Sequence, residues 1–340
     1  MSGFNEIGSE FGCLTDNKGK GIILPNDSNY AFVFSGRTAI ETVLKNIPNV
    51  KKAMLPSYCC ESMIIPFHKS GIEVVFYDVC YKDGLNIKVD IADDVDILLW
   101  CNYFGFRLEM SDISSFKERG GIVIEDITHS FLSEDQYHKQ ADYLVASLRK
   151  WEPINSGGYC AATKGKLQYI PDTEPSNDFI RIKQQAMKLK AEYLIDHDEL
   201  KKPEFLRMFG ESNSWLAENY SGLSIDSWSK EYLSTVDIQR QREVRCSNAQ
   251  VLYGGLKGKV QFLFPEESMD CPLFVPILLR RDRDRIRRGL TENSIYCPIH
   301  WPKPPGCESN LYDMELSLIC DQRYNEEDMM RIVTVLKELI

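Results

Sequence analysis

Between Lys52 and Ala146, short runs that are apolar almost throughout alternate with amphipathic stretches. A strand that is apolar on both sides needs cover on both faces, and strands separated by amphipathic segments are the βαβ units of a parallel sheet. The candidate strands are Ala53–Leu55, Val74–Tyr77, Ile97–Trp100, Ile122–Glu125 and Tyr143–Ala146. An α/β fold follows, with a mostly parallel sheet flanked by helices and a ligand crevice beyond the carboxyl ends of the strands. At 340 residues and 43% hydrophobic content, the chain is long enough for a large core split between one big and one small domain.

After residue 176 the character changes. Lys, Glu, Gln and Arg dominate to about residue 250, and apolar residues at helical spacing predict long helices over Phe179–Ile195 and Trp228–Leu252. Beyond Asp270, an apolar run (Leu273–Leu279) leads into a charged helix (Arg281–Leu290), a short strand (Ile295–Ile299) and a closing helix, Glu326–Leu339. The expected division is a large domain over 1–214, N-terminal segment included, and a smaller C-terminal α+β domain over 215–340.

Charge and composition narrow the function classes. With 40 basic against 50 acidic residues, the net charge of −10 repels nucleic acid and anionic membranes, so neither is an expected partner. No apolar stretch approaches the ~20 residues of a membrane helix, and Met1–Glu10 lacks the basic and apolar runs of a signal peptide. Eleven cysteines include no C-x-x-C pair, and the adjacent Cys59 and Cys60 bridge only with strain. Reduced thiols in a cytoplasm fit best. His68, His138 and His197 show no metal-ligand spacing, and no metal is expected. The run Arg280–Arg288 carries Asp282 and Asp284 within it and reads as a solvated, partly ion-paired helix face.

Three segments carry chemistry. The strand Tyr143–Ala146 delivers Ser147-Leu-Arg-Lys150 to its carboxyl end, with Gly157-Gly158 close behind. The strand Ile122–Glu125 ends on Asp126, with His129 three residues on; Asp126 either caps a following helix or faces the crevice. Phe34-Ser-Gly-Arg-Thr38 reads as a turn opening a helix, where free N–H groups and small residues make an anion site. A lone lysine after a strand is ordinarily a solvated surface residue, but the three together are what pyridoxal 5′-phosphate (PLP) chemistry needs. Lys150 would attach the cofactor and shuttle a proton, and Asp126 would keep the pyridine nitrogen protonated by charge pairing. His129 would touch the ring oxygen or stack nearby. Gly36, Arg37 and Thr38 would grip the phosphate, with Ser147 adding a hydroxyl.

The order Ser-Gly-Arg-Thr-Ala (35–39), Leu-Pro-Ser-Tyr (55–58), Asn-Tyr-Phe-Gly (102–105), Ile-Glu-Asp-x-x-His (124–129) and Ser-Leu-Arg-Lys (147–150) with Gly157-Gly158 resembles the DegT/DnrJ/StrS sugar aminotransferases. Tyr296-Cys-Pro-Ile-His300, Gln241–Arg245 and Leu316–Tyr324 extend the resemblance over nearly the whole chain. It implies a fold type I PLP-dependent transferase, homodimeric with shared active sites, that moves an amino group from an amino acid, usually glutamate, to a nucleotide-linked keto sugar in surface polysaccharide or amino-sugar biosynthesis. By position it makes Lys150 the cofactor lysine, Asp126 the pyridine partner, His129 a contact on the cofactor's other edge, and Gly36 and Arg37 phosphate binders.

The chain also departs from that pattern. Its serine stands three residues before the lysine instead of about five. Cys60 falls where the family has the aromatic that stacks on the ring, leaving Tyr58 or Tyr103 for that role. Asn102 replaces the histidine before the aromatic-Gly motif and is counted with Tyr58 among the cofactor contacts. In place of the Asn-x-Arg that reaches across the dimer stands Asn219–Ser224. Tyr103, Tyr296 and His300, the last beside Trp301, are the substrate-side candidates, with a core role as the alternative. Two other functions fit the same fold: a PLP-dependent sugar dehydratase, which Lys150 argues against because such enzymes carry histidine there, and a non-catalytic PLP-fold regulator, which the altered stacking and cross-dimer positions favour.

Overall fold

The computed structural model describes residues 6–13, 19–25 and 29–340; half of the segment read for a signal peptide, residues 1–5, lies outside them. Its centre is an eight-stranded sheet in the order Tyr30–Val33, Gly158–Ala162, Tyr143–Ser147, Ile122–Asp126, Ile97–Cys101, Lys52–Pro56, Glu73–Tyr81 and Leu85–Lys88. The five strands expected from the apolar runs are all present and pair in parallel, and Ile97–Cys101 is buried at every position. Three strands escaped the periodicity: Tyr30–Val33, Gly158–Ala162 and Leu85–Lys88 pair antiparallel along the margins.

The marginal strands matter for what the sheet can hold. Tyr30–Val33 runs antiparallel to Gly158–Ala162, which runs antiparallel to Tyr143–Ser147. Two reversals restore the direction, so the chain leaving Val33 emerges at the same edge as the chain leaving Ser147. The helix Gly36–Lys45 starts there, with Ser35 as its N-cap, the Ser35 hydroxyl accepting from the Thr38 N–H.

Helices Asn177–Asp196 and Lys201–Glu218 form a hairpin, and the expected boundary at 215 falls inside the second of them. The long helix expected over Trp228–Leu252 is two helices, Ser227–Leu233 and Ile238–Leu256. Asp237 separates them, its side chain accepting from the Arg240 N–H as a new N-cap. Near the C-terminus, Gln261–Phe262, Val275–Leu278 and Glu315–Leu318 make a small antiparallel sheet covered by Arg283–Glu292 and Glu326–Leu339. The strand expected over Ile295–Ile299 shrinks to Ile295–Tyr296, paired in parallel with Ile7–Gly8. Among the described residues, no helix is long and apolar enough to cross a membrane.

Candidate active site

A cavity of about 350 Å³ opens at the carboxyl edge of the parallel strands, lined there by Cys101, Asp126, Val145 and Ser147. Gly36, Arg37, His129 and Lys150 line it as well, so six of the expected residues meet around one space. Two backbone staples bring the turns together: the Gly157 N–H donates to the Phe34 carbonyl at 2.7 Å, and Gly157 accepts from Leu148 at 3.0 Å. Gly158 packs its bare Cα against the Ser35 carbonyl, and a β-carbon there would fall well inside contact distance of that backbone. Gly158→Ala should therefore destabilise the fold by roughly 2 kcal/mol or more, read from denaturant midpoints, and an unchanged midpoint would mean the Ser35 turn can retreat freely.

Lys150 closes a single 3₁₀ turn, Leu148–Lys150, directly after its strand. Its amine has no hydrogen bond or ion pair among the described residues. Asp126 is 6% exposed, and its Oδ1 accepts from the Thr128 N–H at 2.8 Å. Burial pushes the Asp126 carboxyl up to about 6, the Thr128 hydrogen bonds offsetting part of that and Glu125 adding to it. Among the described residues, no cation pairs with it. Thr128 also accepts the Ser147 N–H at 3.0 Å, tying the ends of the two neighbouring strands, and it lines the cavity itself.

His129 accepts the Phe104 N–H on Nδ1 at 3.0 Å, which assigns its proton to Nε2. Burial, then the charges at His300 and Lys150, hold its pKa well below the ordinary histidine value, so the ring is neutral. Its ring lies 5.8 Å from that of Trp301, and Trp301 lines the cavity too. Gly36, Arg37 and Ser147, the residues expected at a phosphate, line the cavity together. A β-carbon on Gly36 would sit 3.1 Å from that of Ser147. Arg37 Nε is buried without a partner among the described residues.

Other expected residues stand elsewhere. Thr38 is fully buried and its hydroxyl donates to the Tyr220 carbonyl at 2.8 Å, away from the cavity. Tyr58 and Tyr103 are stacked in the core at 5.7 Å, with the Tyr103 hydroxyl donating to the Tyr58 carbonyl. Neither lines the cavity; Cys60, His129 and Trp301 do. The Asn102 amide donates to Glu125 and Ser130 and accepts from Trp100, in a buried network that also does not reach the cavity. His300 sits behind His129 and Trp301, its Nδ1 against the Ser317 hydroxyl at 2.8 Å. Asn219–Ser224 packs on the first helix of its own chain, with the Gly222 N–H donating to Glu41.

Tyr296 borders a second cavity of about 480 Å³, which shares Glu10, Ser147, Arg149 and Lys150 with the first. Arg287, read in the sequence only as part of a solvated run, lines it as well. Sequence reasoning missed Glu10, Thr128, Arg149 and Asn213. Glu10 arrives on the N-terminal segment, and although burial works to raise its pKa, Lys183 and Arg149 hold it down at about 2.

No protein-family model matches the sequence, and no curated protein matches it. Solved structures do. A DegT/DnrJ/EryC1/StrS aminotransferase from Brucella abortus is 15% identical at a TM-score of 0.62, over 91% of this chain and 85% of its own. Spr1654 from Streptococcus pneumoniae, in its PLP form, is 12% identical at a TM-score of 0.62, over 93% and 88%. DesI, crystallised with its TDP-sugar product, is 11% identical at a TM-score of 0.61, over 91% and 80%. The chain therefore has the α/β fold of these proteins, the fold type I architecture that its motifs led us to expect.

Proposed function

We propose that this chain is a PLP-dependent aminotransferase of the DegT/DnrJ/StrS type, moving an amino group from an amino acid, glutamate foremost, to a nucleotide-linked keto sugar. One observation carries the reading: an unpartnered lysine amine, a buried carboxyl lacking a cation, and a glycine–arginine helix start converge on a single cavity. Each matches one part of PLP: aldehyde, pyridine nitrogen and phosphate. The PLP form of Spr1654 supports the cofactor, and the TDP-sugar product of DesI supports the acceptor class. We further place the enzyme in the cytoplasm as a homodimer.

Bound PLP supplies an electrophilic carbon and a protonated ring that withdraws electrons. Lys150 would hold the cofactor through Nζ, and the same amine, when free, would take up and release a proton as general base and acid. Asp126, ionised, would keep the ring nitrogen protonated by charge pairing, which its burial would strengthen. His129 presents Nε2–H as its remaining donor, and His129 and Trp301, which line the cavity, would take the ring contacts expected of Tyr58 or Tyr103. The second cavity, which meets the first at Lys150, receives the substrate beside Tyr296 and Arg287.

Glutamate added to PLP-loaded protein should convert the bound cofactor to pyridoxamine phosphate, with one 2-oxoglutarate formed per site. Candidate nucleotide-linked keto sugars should then restore the original absorbance. A protein that binds PLP but completes no half-reaction with any amino acid is a regulator, and the aminotransferase reading falls.

A further inference from the structure

Two arginines flank the contact between Gly36 and Ser147. Arg37 follows Gly36 directly, and Arg149 lies two residues after Ser147; both line the first cavity. Burial lowers the pKa of Arg149, Glu10 opposes that, and Arg37 is close enough to lower it a little further. Two like charges brought together in a partly dry site repel each other, and each has a buried Nε with no partner. Two unpartnered guanidinium nitrogens at one cavity suit an anion that accepts from both.

Arg149 is also held in place from behind. Its Nη2 donates to Asn213 Oδ1 at 3.2 Å, and the Asn213 amide donates to Glu10 Oε1 at 3.0 Å. Glu10 is itself gripped by Lys183 at 3.4 Å. This chain of contacts fixes the guanidinium without neutralising it by a direct ion pair.

Resting on the PLP reading above, we propose that Arg149, positioned by Asn213 and Glu10, is the second cation of the phosphate subsite, so that one chain provides both positive charges for a phosphate dianion. Arg37 and Arg149 would bracket the phosphate seated between the Gly36 helix start and Ser147.

The test compares PLP with pyridoxal, which has the same ring and aldehyde but no phosphate. Dissociation constants for both are measured by fluorescence quenching on wild type, Arg149→Gln and Asn213→Ala. Arg149→Gln should weaken PLP binding by about 10- to 100-fold, the range for losing a charge-assisted pair, while pyridoxal binding moves by less than about twofold. Asn213→Ala frees the guanidinium without removing its charge and should cost PLP only a few-fold. Equal losses for PLP and pyridoxal, or undiminished PLP binding in Arg149→Gln, would overturn the assignment. Wild type that prefers neither compound would instead sink the PLP reading. Inorganic phosphate should compete with PLP on wild type and not on Arg149→Gln; competition equal on both would count against Arg149.

Discussion

Replacing Lys150 with alanine should abolish amino-group transfer while leaving the protein folded and able to bind pyridoxamine phosphate. The amine has no partner among the described residues, so its removal breaks no structural contact, and the surrounding turn is held by backbone bonds at Gly157 and Leu148. Two roles disappear at once, covalent attachment and proton transfer. Nucleophilic and general acid–base contributions together set the loss at about 10⁴-fold or more. Three readouts separate the roles. Borohydride treatment of PLP-loaded protein should add the cofactor mass to wild type and not to the variant. Pyridoxamine phosphate, which needs no covalent bond, should bind both within a few-fold. Added methylamine should recover part of the proton transfer, since a small amine fits the space the side chain leaves. A variant that keeps full turnover would remove Lys150 from the chemistry, and one that loses pyridoxamine phosphate binding as well would make it a structural residue.

The parts of this fold that a sequence exposes are those with a strong local signature. The five parallel strands are covered on both faces, so nearly every side chain is apolar and the run stands out. Tyr30–Val33 and Gly158–Ala162 lie toward the margin, and the second begins with glycine and reads as the tail of a turn. The break between Ser227–Leu233 and Ile238–Leu256 carries no Gly or Pro, and only Asp237 marks it. At the site, Lys150 and Asp126 were legible because the last residue of a strand and the turn just beyond it reach the crevice whatever the tertiary detail. Asn102 shows the limit: Cys101 lines the cavity, and alternation along the chain sends its neighbour into the Glu125 network instead. Thr38 closes its own helix turn with Ser35 and is used up there. Glu10, Arg149 and Asn213 come from three distant segments, and no local pattern announces that Asn213 will bridge the other two.

Asp126→Asn should separate stability from activity, moving them in opposite directions. The carboxyl is raised from 3.8 to about 6 by burial, so the folded state keeps its proton through a range where the unfolded chain has already released it. Stability from this group is unaffected below about pH 3, where both states are protonated, and falls as pH rises through the window to about 6. Above that, the deficit is constant at about 3 kcal/mol, from two units at 1.36 kcal/mol each. Asparagine has no proton to lose and can still accept from Thr128, so the apo variant should be more stable than wild type near neutral pH by up to that amount, and equal to it near pH 3. Loading the wild type with cofactor should erase the difference, because a protonated ring nitrogen supplies the charge the buried carboxylate lacks. Turnover should move the other way, by about 10²- to 10³-fold, since the amide cannot stabilise the ring proton that makes PLP an electron sink. Denaturant titrations of both apoproteins across this pH range, set beside their rates, test the pair of claims. An apo variant less stable than wild type at neutral pH would make Asp126 a structural residue, and undiminished turnover would remove it from the cofactor.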